Sequence, residues 1–268
     1  MISMKQGCVV SIGVFDGVHR GHRRVLELLR KKAEHHGLPA VVVTFDPHPR
    51  RVLRPDKAPP MLVSVERRLE LLAATGCVDH TFVMPFDQDR CEQSADDFVS
   101  HTLIDCLAIR ALVVGANFVC GKARTGTIDY LTQLGKTANF SVHPVPLRPA
   151  FDDLSAEPAS STVIRRLILD GDVRSSARLL GRYHELECKV GSRGEMLLPP
   201  GMCVPRDGRY SVHLHSRHGA RQPACVKIQG DEGYHRGLTR RDDFEPGTHV
   251  TMQFVDVVET VRRLQVSA

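Results

Sequence analysis

Two histidines stand close together near the start of the sequence, in the segment SIGVFDGVHRGH that ends at residue 22. His19 and His22 are three residues apart, so both can face one site at the start of a helix. Backbone N–H groups and the helix dipole at such an N-terminus attract anions, and imidazoles, protonated or neutral, donate hydrogen bonds to phosphate oxygens. The segment predicts a polyphosphate site that stabilises charge on a departing pyrophosphate. Two surface histidines at a turn are the alternative.

The glycines of this segment and its place in the chain favour the phosphate interpretation. Gly13, Gly17 and Gly21 allow the backbone to approach a polyphosphate without a Cβ clash. The segment follows the first predicted strand, and open α/β sheets bind ligands at the carboxyl ends of their strands.

A second segment, SSTVIR at residues 160–165, has two interpretations. Ser and Thr before an apolar helical run are typical of a helix N-cap, and a helix start alone explains them. The other interpretation adds Arg165, one turn into the helix, which could hold a phosphate together with the free hydroxyls.

Strand-like and helix-like stretches alternate over the first 180 residues, which predicts a doubly wound α/β domain with a parallel sheet. The predicted strands are apolar without strict alternation, as strands covered on both faces should be. They are Cys8–Phe15, Ala40–Phe45, His80–Phe86, Ala111–Gly115 and Phe140–Leu147. The predicted helices are His22–Gly37, Val65–Thr75, Ala95–Leu107, Asp129–Ala138, Ser161–Leu169 and Val173–Leu180.

Two of these helices carry finer predictions about their faces. In the helix predicted at 65–75, Leu69, Leu72 and Ala73 fall on one apolar face, and Arg68 falls elsewhere. In the helix predicted at 95–107, apolar residues recur near a helical period.

The character of the chain changes after Gly181. Short strand-like segments follow, and Gly, Pro and Asp separate them, which predicts a small antiparallel barrel or sandwich. The predicted strands are Glu185–Val190, Tyr210–His215, Ala224–Ile228 and Val250–Val255. We therefore expect two domains, residues 1–183 and residues 184–268.

Composition excludes several classes of function. The net charge of +5 is spread along the chain, without the concentrated basic patch of a nucleic-acid surface. No apolar stretch approaches the ~20 residues of a membrane span, and the start lacks a signal peptide. The eight cysteines form no CxxC pair, which favours reduced thiols and a cytoplasmic protein.

Four segments, in order, resemble the bacterial bifunctional FAD synthetases, which are riboflavin kinase/FMN adenylyltransferases. The resemblance is dense over residues 7–183. It implies an α/β nucleotidyltransferase domain that moves AMP from ATP to FMN, with Mg²⁺ bridging the phosphates and pyrophosphate released. The segments are VSIGVFDGVHRGH, TFDPHPRRVLRP, VVGANFVCGKARTG and SSTVIRRLILDGDVRSSARLLGR.

The resemblance also implies roles for individual residues. It gives His19, His22 and Arg165 the catalytic contacts to the ATP phosphates. It places the following residues around ATP: Gly13, Phe15, Asp16, Gly17, Gly21, Ser161 and Thr162. It places a further group on the flavin side: Phe45, Pro47, His48 and Asn117. Asn117 also matches a position at the magnesium site. A rigid loop exit at the prolines and a turn at Asn117 are structural alternatives.

The sequence departs from the family pattern at two places. Cys120 stands where the family usually carries an aromatic residue, on the flavin side of the site. The Gly-Phe-Pro-Thr-Ala-Asn motif of the kinase half is absent from residues 190–201, and the acidic segment expected after Gly230 is not recognisable. We therefore expect residues 184–268 to form a degenerate kinase-like barrel without riboflavin kinase activity.

Three functions remain open on the sequence. The first is an FMN adenylyltransferase that uses ATP and FMN. The second is a related nucleotidyltransferase for another phosphorylated acceptor, such as a modified flavin or a specialised-metabolite intermediate. The third is a non-catalytic flavin- or nucleotide-binding protein.

Overall fold

The computed structural model describes residues 6–146, 158–216, 219–231, 234–238 and 244–260. Its backbone forms two compact units. The first contains residues 1–59 and 65–158, and the second contains residues 60–64 and 159–268. The predicted domains, residues 1–183 and residues 184–268, stay a prediction. The compact units divide the chain at a different place, since residues 159–183 belong to the second unit.

A five-stranded parallel sheet forms the centre of the first unit. Its order is β3-β2-β1-β4-β5, and each neighbouring pair is parallel. This arrangement confirms the predicted α/β class. The strands are β1 (Cys8–Ile12), β2 (Ala40–Asp46), β3 (His80–Pro85), β4 (Ile109–Gly115) and β5 (Ser141–Val145). Leu147, the predicted last residue of the fifth strand, lies outside the described residues.

Burial along the strands follows their positions in the sheet. Every residue of β1 is buried, as are the first five of β2, whereas β3 and β5 at the two edges are only partly covered. Central parallel strands need apolar side chains on both faces because helices pack on both faces. The continuous apolar runs of the sequence therefore indicate which strands are central in the sheet.

Helices connect the strands, with α1 between β1 and β2. It begins after its N-cap His19 and ends at Gly37, which takes the left-handed conformation (φ 61°) and donates to Ala33 O and Glu34 O. The helices are α1 (Arg20–His36), α2 (Pro49–Leu53), α3 (Val65–Ala73), α4 (Gln88–Glu92), α5 (Ala95–Asp97) and α6 (Ile128–Ala138). Two 3₁₀ turns add Pro55–Lys57 and Lys122–Arg124.

The buried face of α3 differs from the predicted one. Arg68, Leu71 and Leu72 are buried, whereas Ala73 is exposed. The prediction treated Arg68 as a solvent-facing cation. It was wrong because the guanidinium has hydrogen-bond acceptors inside the fold, which offset the cost of its burial.

The helix predicted at 95–107 is also different in form. After α5 the chain continues as a π-helix over Phe98–Cys106. Its buried residues include Phe98 and Leu103, five positions apart.

The order of the sheet fixes where a ligand can bind in the first unit. From β1 the chain proceeds to β2 and β3 on one side, and β4 and β5 lie on the other. The strand order therefore reverses between β1 and β4, and the loops after these two strands diverge. Open α/β sheets bind ligands in the crevice that forms at such a point.

The second unit contains two helices and a closed antiparallel barrel. The ring order is β10-β7-β6-β11-β8-β9, and pairing of β9 with β10 closes it. The helices are α7 (Ser161–Leu169) and α8 (Val173–Leu180). The strands are β6 (His184–Val190), β7 (Met196–Leu197), β8 (Gly208–Ser216), β9 (Gln222–Asp231), β10 (Tyr234–Leu238) and β11 (His249–Thr260).

Alternate side chains of the long strands fill the barrel. In β8, Tyr210, Val212 and Leu214 are buried, and intervening residues are more exposed. This alternation is why these strands are predictable. The sequence did not predict β7 and β10, because β7 has only two residues and β10 contains Gly237, a poor strand former. A Cβ at Gly237 would lie 2.9 Å from Val226 Cγ1.

No helix among the described residues is long and apolar enough to cross a membrane.

His184 is a buried ionisable side chain of the barrel whose burial affects stability between neutral and acidic pH. His184 is 1% exposed, lies over Phe254 with ring centroids 5.7 Å apart, and bonds through Nε2 to Cys203 O at 2.7 Å. Burial lowers its pKa from 6.5 to about 4, against the opposing effect of the Cys203 bond. The unfolded chain therefore binds more protons between these pH values, and stability falls as pH falls through that window.

We expect the titration of His184 to lower the free energy of unfolding by about 2 kcal/mol when the pH falls from 7 to 5. His184→Gln keeps a donor for Cys203 but does not titrate, so its pH-dependent loss is smaller by that amount. Urea unfolding with hydrogen–deuterium exchange of peptides from β6 and β11 measures the difference. An identical pH dependence in both proteins contradicts the assignment.

Candidate functional site

The turn from β1 into α1 is tightly bent and carries unusual backbone angles. Phe15 (φ 52°), Gly17 (φ 82°) and Val18 (φ 39°) all lie in the left-handed region. For a β-branched residue such as Val18 this conformation is rare and costs about 1–2 kcal/mol. Strain of this kind persists only where surrounding contacts impose it, and it concentrates at functional sites.

A buried arginine beneath the turn supplies those contacts. Nη1 of Arg68 lies 2.7 Å from Val14 O, 2.9 Å from Thr44 Oγ1 and 3.1 Å from Phe45 O. The Thr44 hydroxyl also donates to Val14 O at 2.9 Å. Together they connect the turn to the end of β2.

Electrostatics around Arg68 explain why a cation is tolerated there. The residue is 1% exposed, and burial lowers its pKa, whereas the charges of Asp16 and Asp46 act in the opposite direction. Asp16 is itself 1% exposed. The arginine therefore positions the turn and also provides positive charge below it.

The two predicted histidines meet at the end of this turn. Their rings are stacked, with centroids 3.6 Å apart and planes 19° apart. The backbone N–H of His22 donates to Nδ1 of His19 at 3.3 Å, which makes His19 the N-cap of α1. In the tautomer that accepts this bond, Nδ1 of His19 carries the lone pair and Nε2 carries the proton.

The first turn of α1 is suited to an anion. It contains no acidic residue, and its sequence from residue 20 is RGHRR. Cations at a helix N-terminus oppose the helix dipole and cost a few tenths of a kcal/mol each. A bound polyphosphate reverses this penalty, because it supplies the negative charge that this end of the helix lacks.

A pocket of about 770 Å³ lies in the first unit, and Ile12 and Phe45, close to the turn, form part of its wall. Much of the remaining wall is apolar, and the ring of Phe86 packs edge-on against Phe45 at 5.6 Å. The full lining is Ile12, Phe45, Pro49, Arg50, Leu53, Arg54, Lys57, Met84, Phe86, Arg90, Cys91, Gln93, Phe98, Phe118, Val119, Cys120, Gly121, Lys122, Ala123 and Arg124.

The residues predicted for the flavin side lie around this pocket. Phe45 is in the lining, whereas Pro47 and His48 precede the lining residue Pro49, and Asn117 precedes Phe118. His48 caps α2 by accepting from the Arg50 N–H at 3.0 Å. Whether Pro47, His48 and Asn117 contact a flavin stays a prediction.

The third group of predicted residues lies at the start of α7 in the second unit. Ser160 is the N-cap of α7 and accepts a hydrogen bond from the Val163 N–H at 3.3 Å. Ser161 is half-buried and Thr162 is exposed. Arg165 is 9% exposed, and its Nε donates to Pro60 O at 2.7 Å. A helix start accounts for Ser160, and the ATP contacts of Ser161, Thr162 and Arg165 stay predictions.

A family model described as FAD synthetase matches residues 1–162. The chain belongs to the FAD synthetase family. Three relatives carry the description bifunctional riboflavin kinase/FMN adenylyltransferase. The protein of Pseudomonas fluorescens is 37% identical over 185 residues, that of Haemophilus influenzae 35% over 185, and that of Escherichia coli K12 33% over 186. Each match covers 69% of this chain but only 58% of the relative.

A solved structure supports the fold over nearly the whole chain. The crystal structure of a macrolide-efflux protein from Streptococcus pneumoniae matches with a TM-score of 0.81 and 24% identity. The match covers 98% of this chain and 90% of that one. At this identity the likeness concerns the fold alone.

A magnesium ion that arrives with ATP stays a prediction, as does the role of Asn117 in binding it. Asn117 is exposed in the turn after β4, and its Oδ1 lies 3.1 Å from the position that a Cβ on Gly115 would take. Magnesium bound mainly by phosphate oxygens and water needs one or two protein oxygens. The described residues hold no cluster of three or more His, Cys, Asp or Glu that could bind a metal by themselves.

The sequence did not identify Arg68, which holds the turn from beneath by hydrogen bonds. A signal existed, because positions 68, 71 and 72 fall on one helical face. We did not assign Arg68 to this buried face because cations in amphipathic helices usually face solvent.

We expect Arg68→Met to lower the free energy of unfolding by about 3 kcal/mol, because Val14 O and Phe45 O lose a charged donor. Arg68→Lys keeps the charge and costs less. The control is Arg67→Met, which breaks the exposed pair with Glu70 (2.6 Å) and costs at most about 1 kcal/mol. Urea unfolding and amide exchange of residues 13–19 measure these effects. Equal losses in the three variants contradict the role of Arg68 in holding the turn.

Proposed function

We propose that this protein is an FMN adenylyltransferase that transfers AMP from ATP to FMN and releases pyrophosphate. One observation carries the proposal: the strained turn with its stacked histidines adjoins an aromatic pocket with a cationic lining in the same unit. The turn suits the ATP phosphates. The pocket suits a large planar ring that carries an anionic phosphate.

The chemistry requires positioning and charge neutralisation rather than a protein nucleophile. An oxygen of the acceptor phosphate attacks the α-phosphorus of ATP, and a P–O bond forms as the bond to the β-phosphate oxygen breaks. The electron pair of that bond leaves with pyrophosphate. Magnesium, when bound, neutralises charge on the phosphates.

The chain's own groups act on the leaving group. Nε2–H of His19 donates to a phosphate oxygen, and the N–H groups at the start of α1 donate alongside it. His22 lies against His19 and presents a second imidazole. Arg68 keeps the turn in place from below.

Cys120 takes no covalent part in this reaction. It is half-buried in the pocket wall, and burial raises its pKa from 9.0 to about 11. The thiol is therefore protonated at neutral pH, and it acts as a small apolar group where relatives of the bifunctional type usually carry an aromatic ring.

Transfer to another phosphorylated acceptor is the second candidate. The resemblance to the family implies an aromatic residue at position 120, and Cys120 in the pocket lining favours this candidate because a smaller side chain leaves more room for a different acceptor ring. A non-catalytic binding role is the third, and turnover with any acceptor excludes it. A cytoplasmic location belongs to the same proposal.

We further propose that the barrel does not phosphorylate riboflavin. Its interior is filled by apolar side chains. The Gly-Phe-Pro-Thr-Ala-Asn motif of the family's riboflavin kinase half is missing from the sequence between β6 and β8.

We expect His22→Ala to lower kcat for pyrophosphate release at least about 100-fold, by analogy with the loss of one preorganised donor. The matched control is His36→Ala, at the exposed far end of the same helix, with unchanged turnover. A coupled pyrophosphate assay with FMN and ATP measures both. Undiminished turnover in His22→Ala removes the histidine from the mechanism.

A product assay by mass spectrometry tests the two activities separately. FMN with ATP and Mg²⁺ should yield FAD and pyrophosphate, whereas riboflavin with ATP should yield no FMN. FMN formed from riboflavin contradicts the loss of kinase activity. No FAD from FMN, with product from another phosphorylated acceptor, selects the second candidate.

A further inference from the structure

The pocket lining contains many cations and no carboxylate. Six of its twenty residues are Lys or Arg, against 36 of 268 in the whole chain, where 31 Asp and Glu accompany them. The six are Arg50, Arg54, Lys57, Arg90, Lys122 and Arg124.

These cations come from three separate parts of the first unit. Arg50 and Arg54 belong to α2 and its C-cap, and Lys57 ends the 3₁₀ turn that follows. Arg90 lies on α4, and Lys122 and Arg124 lie on the second 3₁₀ turn. Folding therefore concentrates charge that the linear sequence distributes over about seventy residues.

Little of this charge is neutralised within the described part of the chain. Lys122 Nζ pairs with Glu92 Oε2 at 2.6 Å, and both side chains are more than half exposed. Arg90 Nη1 bonds to the neutral amide of Gln93 at 2.8 Å. Among the described residues, Glu92 is thus the one carboxylate seen paired with a lining cation, and five of the six cations are exposed to solvent.

The backbone that presents two of the cations is strained. Ala123 (φ 55°) and Arg124 (φ 62°) are consecutive left-handed residues that are not glycine, which costs about 1–2 kcal/mol each. Reciprocal bonds between Cys120 and Gly126, at 3.1 and 3.0 Å, close the loop. Lys122 N donates to Gln93 O at 2.8 Å. The fold maintains an unfavourable conformation where it borders the pocket, which indicates a functional constraint.

The charge exceeds what FMN requires. A phosphate monoester carries at most two negative charges, and one or two basic side chains match it. In the proposed reaction that phosphate is also the nucleophile, so it must reach the α-phosphorus of ATP at the turn. Cations elsewhere in the lining then have no partner on FMN.

We infer that the preferred acceptor carries, besides its reacting phosphate, at least one further anionic group that binds the lining cations. This inference rests on the proposed function and specifies its substrate class: a flavin-like ring with an additional carboxylate or phosphate. The apolar wall binds the ring, and the cations select the additional charge.

Binding measurements with three flavins test the inference in the full-length protein. The probes are FMN, FMN with a carboxylate replacing a ring methyl group, and riboflavin with phosphates on two ribityl hydroxyls. We expect one of the two probes with an additional anionic group to bind at least about tenfold more tightly than FMN, as a charge-assisted hydrogen bond gives. Its affinity should also fall more steeply with salt.

Paired variants show whether the lining is responsible. Arg54→Gln with Arg124→Gln removes two lining cations. The ratio of the affinity for the additionally charged probe to the affinity for FMN should then fall toward one. The control is Arg51→Gln with Lys136→Gln, which removes two exposed cations outside the lining and should preserve the preference.

The outcomes separate the inference from the proposed function. If FMN is adenylylated and neither probe with the additional anionic group binds more tightly, the inference is wrong and the adenylyltransferase stands. An equal loss of preference in both double variants also overturns it, because general attraction by net charge then explains the effect. If no flavin binds, both the proposed function and the inference fail.

Discussion

The pairing of the Val14 carbonyl with the buried guanidinium of Arg68 is the constraint on which the site depends. The chain leaves β1 at this point, and a carbonyl buried without a partner is costly. Arg68 and Thr44 both donate to it, at 2.7 and 2.9 Å. These bonds offset the strain at Phe15 and Val18, and so they fix the direction in which α1 begins.

The position of α1 then determines the chemistry of its first residues. His19 caps the helix through Nδ1, which leaves Nε2–H as the donor, and His22 stacks on it at 3.6 Å. Neither property belongs to a histidine by itself. Both follow from a helix whose N-cap directly follows the last strained turn position, at the crevice between β1 and β4.

Positive charge accumulates at two places in the first unit, and each implies a different anion. At the start of α1 the positive end of the helix dipole coincides with basic side chains and lacks acidic ones, which suits the phosphates of a nucleotide. In the pocket, cations from three elements surround an aromatic wall. By contrast, the barrel of the second unit is filled by apolar side chains, and its buried His184 is neutral at physiological pH.

The sequence by itself determined the features that depend on neighbouring residues. Apolar runs located all five parallel strands, and short strand-like segments separated by Gly, Pro and Asp located the long barrel strands. The glycine-rich segment with two histidines located the turn from β1 into α1. The tertiary structure alone decided what depends on residues far apart in the chain. Arg68 is buried because Val14 and Thr44, 54 and 24 residues away, supply acceptors, and the cationic lining exists because α2, α4 and a strained loop meet around one pocket. Local periodicity encodes which face of an element is apolar, but the compensation of a buried or clustered charge depends on partners that only the folded chain brings together.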